Sequence, residues 1–207
     1  MASNTHAISL NPATGEQIGA YAFESAADLE TVLSQSAKAY TNWRRTPLDA
    51  RSAALARLGQ ALRADIDRLA GMITAEMGKP ITQARGEITK CAGLCDWYAE
   101  HGPAMLASEP TQIENDKARI EYRPLGPILA VMPWNFPIWQ VIRSVVPALL
   151  AGNTYILKHA PNVMGSAYLL REAFGRADFP QGVSRSSTCK TTSSRRRLPT
   201  TASPPSR

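Results

Sequence analysis

A short turn between two apolar segments carries the residues best suited to chemistry. Residues 132–137 (MPWNFP) place prolines on both sides of a tryptophan, an asparagine and a phenylalanine. Proline fixes the backbone φ angle and removes an amide donor, so a turn of this composition is stiff. Asn135 supplies a strong carboxamide donor, which can stabilise an oxyanion that forms on a reacting carbonyl. The alternative is a proline-rich loop in which Asn135 only caps the following helix.

The segments around this turn predict an α/β fold. A buried-type strand is expected at 128–132, a helix at 137–150, a second strand at 154–158 and a second helix at 162–175. This order and spacing indicate a β-α-β unit with a parallel pair of strands, the start of a Rossmann-like cofactor domain. The sequence contains no G-x-G-x-x-G loop, so the usual pyrophosphate motif is missing.

The residues before this unit predict a mainly helical region. Ser25 followed by Asp28 is typical of a capped helix start, and Gly78 before Pro80 is typical of a helix end. The expected elements are a hairpin over 7–22, helices over 25–43, 47–78 and 81–100 (the last stopped by residues 101–103), and strands at 111–113 and 117–123 joined by a turn at 114–116.

The three cysteines do not predict a disulfide framework, because their number is odd. Cys91 and Cys95 lie four residues apart, on one face of an expected helix. They could form half of a metal site, but no further His or Cys has suitable spacing. Two packed thiols are therefore the favoured interpretation.

Five segments in order resemble the NAD(P)-dependent aldehyde dehydrogenase superfamily. They are 11–16 (NPATGE), 76–80 (EMGKP), 133–137 (PWNFP), 147–154 (PALLAGNT) and Lys158. Trp139, Gln140 and residues 158–162 (KHAPN) also fit the bacterial succinate-semialdehyde dehydrogenases. The resemblance implies the N-terminal portion of the aldehyde dehydrogenase fold, a helical N-terminal region followed by the first β-α-β of the cofactor domain.

The resemblance also implies roles for single residues. Asn135 would donate its side-chain amide to a thiohemiacetal oxyanion, as a catalytic residue. Met132, Pro133 and Trp134 would line the cofactor cleft, and Lys158 would hydrogen-bond the adenosine ribose. If the family resemblance is set aside, Trp134 could simply pack in the protein and Lys158 could be a solvated surface charge.

Cofactor and substrate preferences follow from two further positions. Many NAD-using relatives have a glutamate where this sequence has Pro161. Without this glutamate, the ribose 2′-hydroxyl lacks a hydrogen-bond partner and a 2′-phosphate is not repelled. Either NADP or NAD is therefore expected. Arg143 lies eight residues after Asn135 and matches an arginine that binds the distal carboxylate in semialdehyde-oxidising relatives. A guanidinium suits such a bidentate contact, whereas the alternative is a surface arginine.

The net charge of +6 belongs to the end of the chain. Residues 184–207 contain six basic residues and no acid, which leaves 17 basic against 17 acidic residues in 1–183. We therefore expect no nucleic-acid partner for the folded part. With no apolar span and no secretory signal in the sequence, a cytoplasmic location without membrane partners is expected.

The resemblance is expected to end at Val183. Residues 184–207 are rich in Ser, Thr, Arg and Pro, a composition that predicts a disordered basic tail. A frameshift is the sharper hypothesis, because permitted codons for 184–192 read one base earlier give FQVVNVQDD, which suits the family. The alternative is a natural tail that binds nucleic acid or acidic partners.

A frameshift has consequences for activity. The family's nucleophilic cysteine and its general-base glutamate lie beyond this point, so the chain is expected to be an inactive N-terminal fragment of a succinate-semialdehyde-oxidising enzyme. Family members are homo-oligomers, but this fragment need not assemble. The competing function is a non-enzymatic protein that binds through its basic tail.

Overall fold

A computed structural model describes residues 5–111 and 118–189 of the chain. Two small antiparallel pairs of strands, six α-helices and one three-stranded parallel sheet make up this part. In chain order the elements are β1 (His6–Leu10), β2 (Gln17–Ala22), α1 (Ala26–Trp43), α2 (Leu48–Ala64), α3 (Ile66–Met77), α4 (Ile81–Met105), β3 (Glu109–Pro110), β4 (Arg119–Ile120), β5 (Pro127–Val131), α5 (Trp139–Leu150), β6 (Thr154–Lys158), the 3-10 turn Pro161–Val163, α6 (Met164–Arg176) and β7 (Ser184–Ser187).

The predicted β-α-β unit is confirmed. Strands β5 and β6 pair in parallel, with Pro127 opposite Thr154 and Val131 opposite Lys158. All five residues of β6 are buried, because α5 packs on this strand and α1 contacts every strand of the sheet. Helices α2, α3 and α4 pack together, and α4 also packs on α5, so the helical region supports the helix that follows the turn.

The hairpin and the first helix form as their local sequence predicts. β1 and β2 pair in antiparallel fashion, with a register shift between Ser9 and Leu10. The Ser25 hydroxyl accepts from the Asp28 amide while the Asp28 carboxylate accepts from the Ser25 amide, which is the predicted capping box. Gly78 ends α3 with a left-handed φ of 72°.

Two predicted helix boundaries are wrong. The helix expected over 47–78 is divided at Asp65, whose φ of −114° and ψ of 18° break the helix between α2 and α3. The apolar spacing runs unchanged through this point, so periodicity could not reveal the break. The stop expected at residues 101–103 does not occur, since α4 continues through Pro103 to Met105 with Gly102 packed tightly against Leu150.

The strands expected near residues 111–123 form only a short pair. Glu109 pairs with Ile120 and Pro110 with Arg119. The expected turn at 114–116 and the strand residues 112–113 and 117 lie outside the described residues.

The disorder predicted from residue 184 onwards is wrong for its first residues. Ser184–Ser187 form β7, which pairs in parallel with β6, and the Tyr155 amide donates to the Val183 carbonyl at 2.8 Å. A strand is held by backbone hydrogen bonds, so the open edge of β6 can take a strand whose side chains are polar. Residues 190–207 lie outside the described part.

The described residues contain no membrane-spanning helix, no disulfide and no metal-binding cluster. No helix there combines the length and apolar character that crossing a membrane requires. Cys91 and Cys95 are buried and unbridged, which confirms the packed thiols. No cluster of His, Cys, Asp and Glu in this part of the chain could hold a metal ion.

Candidate functional site

The proline-bracketed turn lies at the carboxyl edge of the parallel sheet, where β5 passes into α5. The Met132 amide donates to the Lys158 carbonyl at 3.1 Å, so the start of the turn is tied to the end of the neighbouring strand. Asn135 is exposed, and Trp134 and Phe136 are 52% and 44% exposed. The residues predicted to form the site, 132–135 and Lys158, are thus brought to one edge, which is where open α/β sheets bind ligands.

His159 holds the far end of the turn. Its Nδ1 accepts from the Ala160 amide at 2.8 Å, so Nε2 carries the proton and donates to the Pro137 carbonyl at 2.8 Å. Burial is the main cause that lowers the pKa of His159, with the Lys158 ammonium adding to the effect. The ring is therefore neutral at pH 7 and acts as a fixed donor.

Glu87 and Lys79 hold the turn from the helical region. Glu87, on α4, accepts from the Ile138 amide at 3.0 Å and from the Trp139 amide at 2.9 Å, and so caps the first turn of α5. Its other oxygen pairs with Lys79, and both side chains are buried. The Lys79 ammonium lies 3.7 Å from the centre of the Phe136 ring, a cation–π contact.

A second buried glutamate caps the next helix. Glu76 accepts from the amides of Gly165 and Ser166 at 2.7 and 2.8 Å, and from the hydroxyls of Ser166 and Ser9 at 2.7 and 2.5 Å. A helix N-terminus after a parallel strand is the usual phosphate position of a Rossmann fold. Here both such positions hold carboxylates of the protein, which agrees with the missing glycine-rich motif.

Arg143 lies on α5, one helical turn after Trp139, and its side chain is exposed. It forms no ion pair with any residue in 5–111 or 118–189. The structure therefore leaves this guanidinium open to a carboxylate, but it does not join Arg143 to Asn135 through a contact.

Asn153 fixes the opposite end of the β-α-β unit. Its Oδ1 accepts from the amides of Leu125 and Gly126 at 2.7 and 3.1 Å, and its Nδ2 donates to the Ala148 carbonyl at 3.1 Å. One side chain thus joins the end of α5 to the segment that enters β5. Gly152 before it has a φ of 92°, which favours glycine.

Comparison with known proteins agrees with this arrangement. Residues 1–197 match the aldehyde dehydrogenase family, and the match continues past Val183, where the resemblance was expected to end. The chain belongs to the aldehyde dehydrogenase family.

Curated relatives of this aldehyde dehydrogenase chain include succinate semialdehyde dehydrogenases. The chain is 60% identical over 179 residues to the NAD(P)+ enzyme Sad of Escherichia coli. The aligned residues make up 86% of this chain and 39% of that relative. It is 40% identical over 173 residues to a probable NADP+ enzyme of Synechocystis. That alignment covers 84% of this chain and 38% of the relative. The chain therefore spans well under half the length of these relatives.

Solved structures give the same fold. The succinic semialdehyde dehydrogenase of Streptococcus pyogenes, in complex with NADP+, superposes with a TM-score of 0.86 at 32% identity, over 89% of this chain and 41% of that one. The succinate-semialdehyde dehydrogenase of Burkholderia pseudomallei gives 0.84 at 32% identity, over 93% and 40%. The prediction of an N-terminal portion of the aldehyde dehydrogenase fold is confirmed.

Local sequence does not reveal the buried polar residues behind the aldehyde dehydrogenase turn. Glu76, Lys79 and His159 occur within segments that carry the family resemblance, 76–80 and 158–162, but their neighbours give no sign of buried partners. Glu87 did carry a signal, since it falls on the buried stripe of α4 with Ala84 and Cys91. A carboxylate on an otherwise apolar stripe indicates a buried partner.

Proposed function

We propose that this chain is part of an enzyme that oxidises succinate semialdehyde, or a similar aldehyde, to the carboxylate with NADP+ or NAD+. The observation that carries the proposal is the 60% identity to the Escherichia coli enzyme across the described fold. The exposed Asn135 turn at the carboxyl edge of the sheet supports it, because such an edge is open to both cofactor and substrate.

Asn135 would stabilise charge on the aldehyde oxygen. Attack by a thiolate moves an electron pair onto this oxygen, and an amide donor held in place lowers the energy of that state. The turn holds the backbone on both sides of Asn135, and Asn135 is exposed in this chain, so its carboxamide is open to a substrate carbonyl. The bound nicotinamide supplies the hydride acceptor for the oxidation.

The cofactor would lie against Met132, Pro133, Trp134 and Lys158. Trp134 offers an exposed ring, and Lys158 ends β6 beside the turn. Since Glu76 and Glu87 occupy both helix N-termini, the cofactor phosphates would have to bind away from those amides. Pro161 brings no carboxylate near a ribose 2′-phosphate, which suits NADP+ as well as NAD+.

Arg143 would bind the far carboxylate of the substrate. The exposed guanidinium has no anionic partner in the described part of the chain, and its planar donors match a carboxylate in bidentate fashion. This contact would distinguish succinate semialdehyde from an uncharged aldehyde.

The 207 residues by themselves are proposed to be inactive. An out-of-frame sequence after Val183 stays an untested prediction, and the family match up to residue 197 argues against it. The family resemblance places the nucleophilic cysteine and the glutamate downstream of Val183. The described thiols do not suit the role of nucleophile: Cys189 is 3% exposed, burial raises the pKa of Cys91, and burial raises that of Cys95 to about 12. A non-enzymatic protein that binds through its basic tail stays the competing function, and assembly stays a prediction.

Four measurements test this proposal. The purified chain should form no NADPH or NADH with succinate semialdehyde, and turnover that Cys189→Ser abolishes would contradict it. Sequencing the gene across codons 183 and 184 tests the frameshift directly. In an enzyme with the frame restored, Asn135→Ala should lower turnover about 100- to 1000-fold with every aldehyde. Arg143→Ala should raise KM for succinate semialdehyde and spare an uncharged aldehyde of similar length.

A further inference from the structure

Three side chains from separate segments meet the turn at consecutive residues. The Lys79 ammonium contacts the Phe136 ring, the His159 ring donates to the Pro137 carbonyl, and Glu87 accepts from the Ile138 amide. Because these contacts fall on residues 136, 137 and 138, they fix the backbone directly after Asn135.

The contacts are coupled through Glu87. One carboxylate oxygen receives two amides of α5, and the other pairs with Lys79, which itself lies on Phe136. Both charged groups are buried, so the geometry of one fixes the geometry of the other. Lys79 could not hold its place over Phe136 without a buried anion beside it.

The prolines leave the turn in need of outside partners. Pro133 and Pro137 have no amide hydrogen, so the turn itself can form few internal hydrogen bonds. Beyond the φ angles that the prolines fix, the turn is held by the Met132 amide at one end and by the three side chains at the other. An oxyanion donor is effective only if it is held within about 0.5 Å of its working position.

We propose that Glu87, Lys79 and His159 are positioning residues, which hold the Asn135 side chain at the point where the aldehyde oxygen would develop charge. The proposal rests on the proposed function of Asn135. It differs from simple helix capping, because a cap would stabilise α5 without affecting the carboxamide that precedes it.

The chain provides a matched control in Glu76. Glu76 and Glu87 are both buried glutamates that accept from two amides of a helix N-terminus, but Glu76 caps α6 and its described hydrogen bonds go to Ser9, Gly165 and Ser166 and not to the turn. Glu87→Gln and Glu76→Gln therefore each remove the negative charge from a capping side chain and leave a neutral amide oxygen as a weaker acceptor. Amide hydrogen exchange should be at least about tenfold faster at 138–139 in the first variant and at 165–166 in the second.

The deciding measurement is nuclear magnetic resonance of the labelled 207-residue chain. The Asn135 side-chain amide and the Trp134 indole should shift and become more mobile in Glu87→Gln, and should stay unchanged in Glu76→Gln. If Glu87→Gln accelerates exchange at 138–139 but leaves the Asn135 amide unchanged, Glu87 only caps the helix and the proposal is overturned.

A second pair of variants decides the question if Glu87→Gln does not fold. His159→Ala removes the donor to Pro137, whereas His159→Gln keeps an N–H at a similar reach. The Asn135 amide should move in the first variant and be restored in the second, and equal spectra would overturn the proposal. These measurements need no turnover, so their failure is distinct from a failure of the proposed aldehyde oxidation.

Discussion

Asn153 should contribute more to stability than an ordinary buried asparagine, and Asn153→Ala measures this directly. The substitution removes both hydrogen bonds that Oδ1 accepts and the one that Nδ2 donates. Leu125 is exposed, so its amide can bind water, at a cost of about 0.5–1.5 kcal/mol. Gly126 is buried and its amide would be left unpaired, at about 1–3 kcal/mol.

The third hydrogen bond should add little to this loss. The Ala148 carbonyl also accepts from the Asn153 backbone amide at 3.0 Å, so it keeps a partner in the variant. We therefore expect Asn153→Ala to lower the free energy of unfolding by roughly 1.5–4.5 kcal/mol. Urea unfolding followed by circular dichroism measures the loss, and Asn42→Ala on the exposed face of α1 is the control, with an expected change within about 0.7 kcal/mol.

Asn153→Asp gives the sharper test, because its effect should depend on pH. At pH 7 the new carboxylate would still accept from Leu125 and Gly126, but its second oxygen would face the Ala148 carbonyl. Burial and this repulsion should raise the folded-state pKa above the unfolded value. The protonated form can donate to Ala148, so stability should recover as the pH falls through the folded-state pKa. The quantity to compare is the free energy of unfolding of Asn153→Asp minus that of Asn153→Ala. If this difference is the same at pH 7 and pH 5, this account of the side chain is refuted.

Three further predictions concern packing, protonation and the last strand. A methyl group at Gly102 would lie 2.1 Å from Leu150, so Gly102→Ala should be less stable than Gly93→Ala, which meets nothing within 4 Å, by about 1–3 kcal/mol in urea unfolding. Burial lowers the pKa of His159, so unfolding should bind a proton and stability should fall as the pH drops below about 6.5, a slope that His159→Gln should reduce. The Arg185 Nε is buried without a partner, so Arg185→Val should stabilise β7 by about 1–2 kcal/mol, as measured by thermal unfolding.

Each of these predictions has its own control. Gly93→Ala should itself be stabilising by about 0.5–1 kcal/mol, because it removes a helical glycine without a clash. Equal pH slopes in the parent chain and His159→Gln would mean that His159 is not the titrating group. Arg185→Lys replaces the buried Nε by a methylene group, so it should recover part of the gain of Arg185→Val, and no gain from either variant would contradict the argument.

Motifs that act through the local backbone could be predicted, and contacts between distant segments could not. The proline-bracketed turn, the Ser25 cap and the parallel pair of β5 and β6 follow from neighbouring residues. Glu87 contacts amides more than 50 residues away, so only its place on a buried stripe hinted at a partner. The polar sequence of β7 could not predict a strand, since the open edge of β6 decides its conformation.

The two capping glutamates also bear on whether the β-α-β unit could exist as a separate module. Glu87 and Glu76 come from the helical region, and they are 51 and 90 residues distant in the chain from the Ile138 and Ser166 amides that they receive. A piece cut out at residue 127 would keep its strands and helices but lose both acceptors, leaving two helix N-termini without partners. The helical region and the sheet must therefore fold together, and a recombination point between them would separate each helix from its cap. Such long-range contacts also predict slower folding than a helical protein of this size would show.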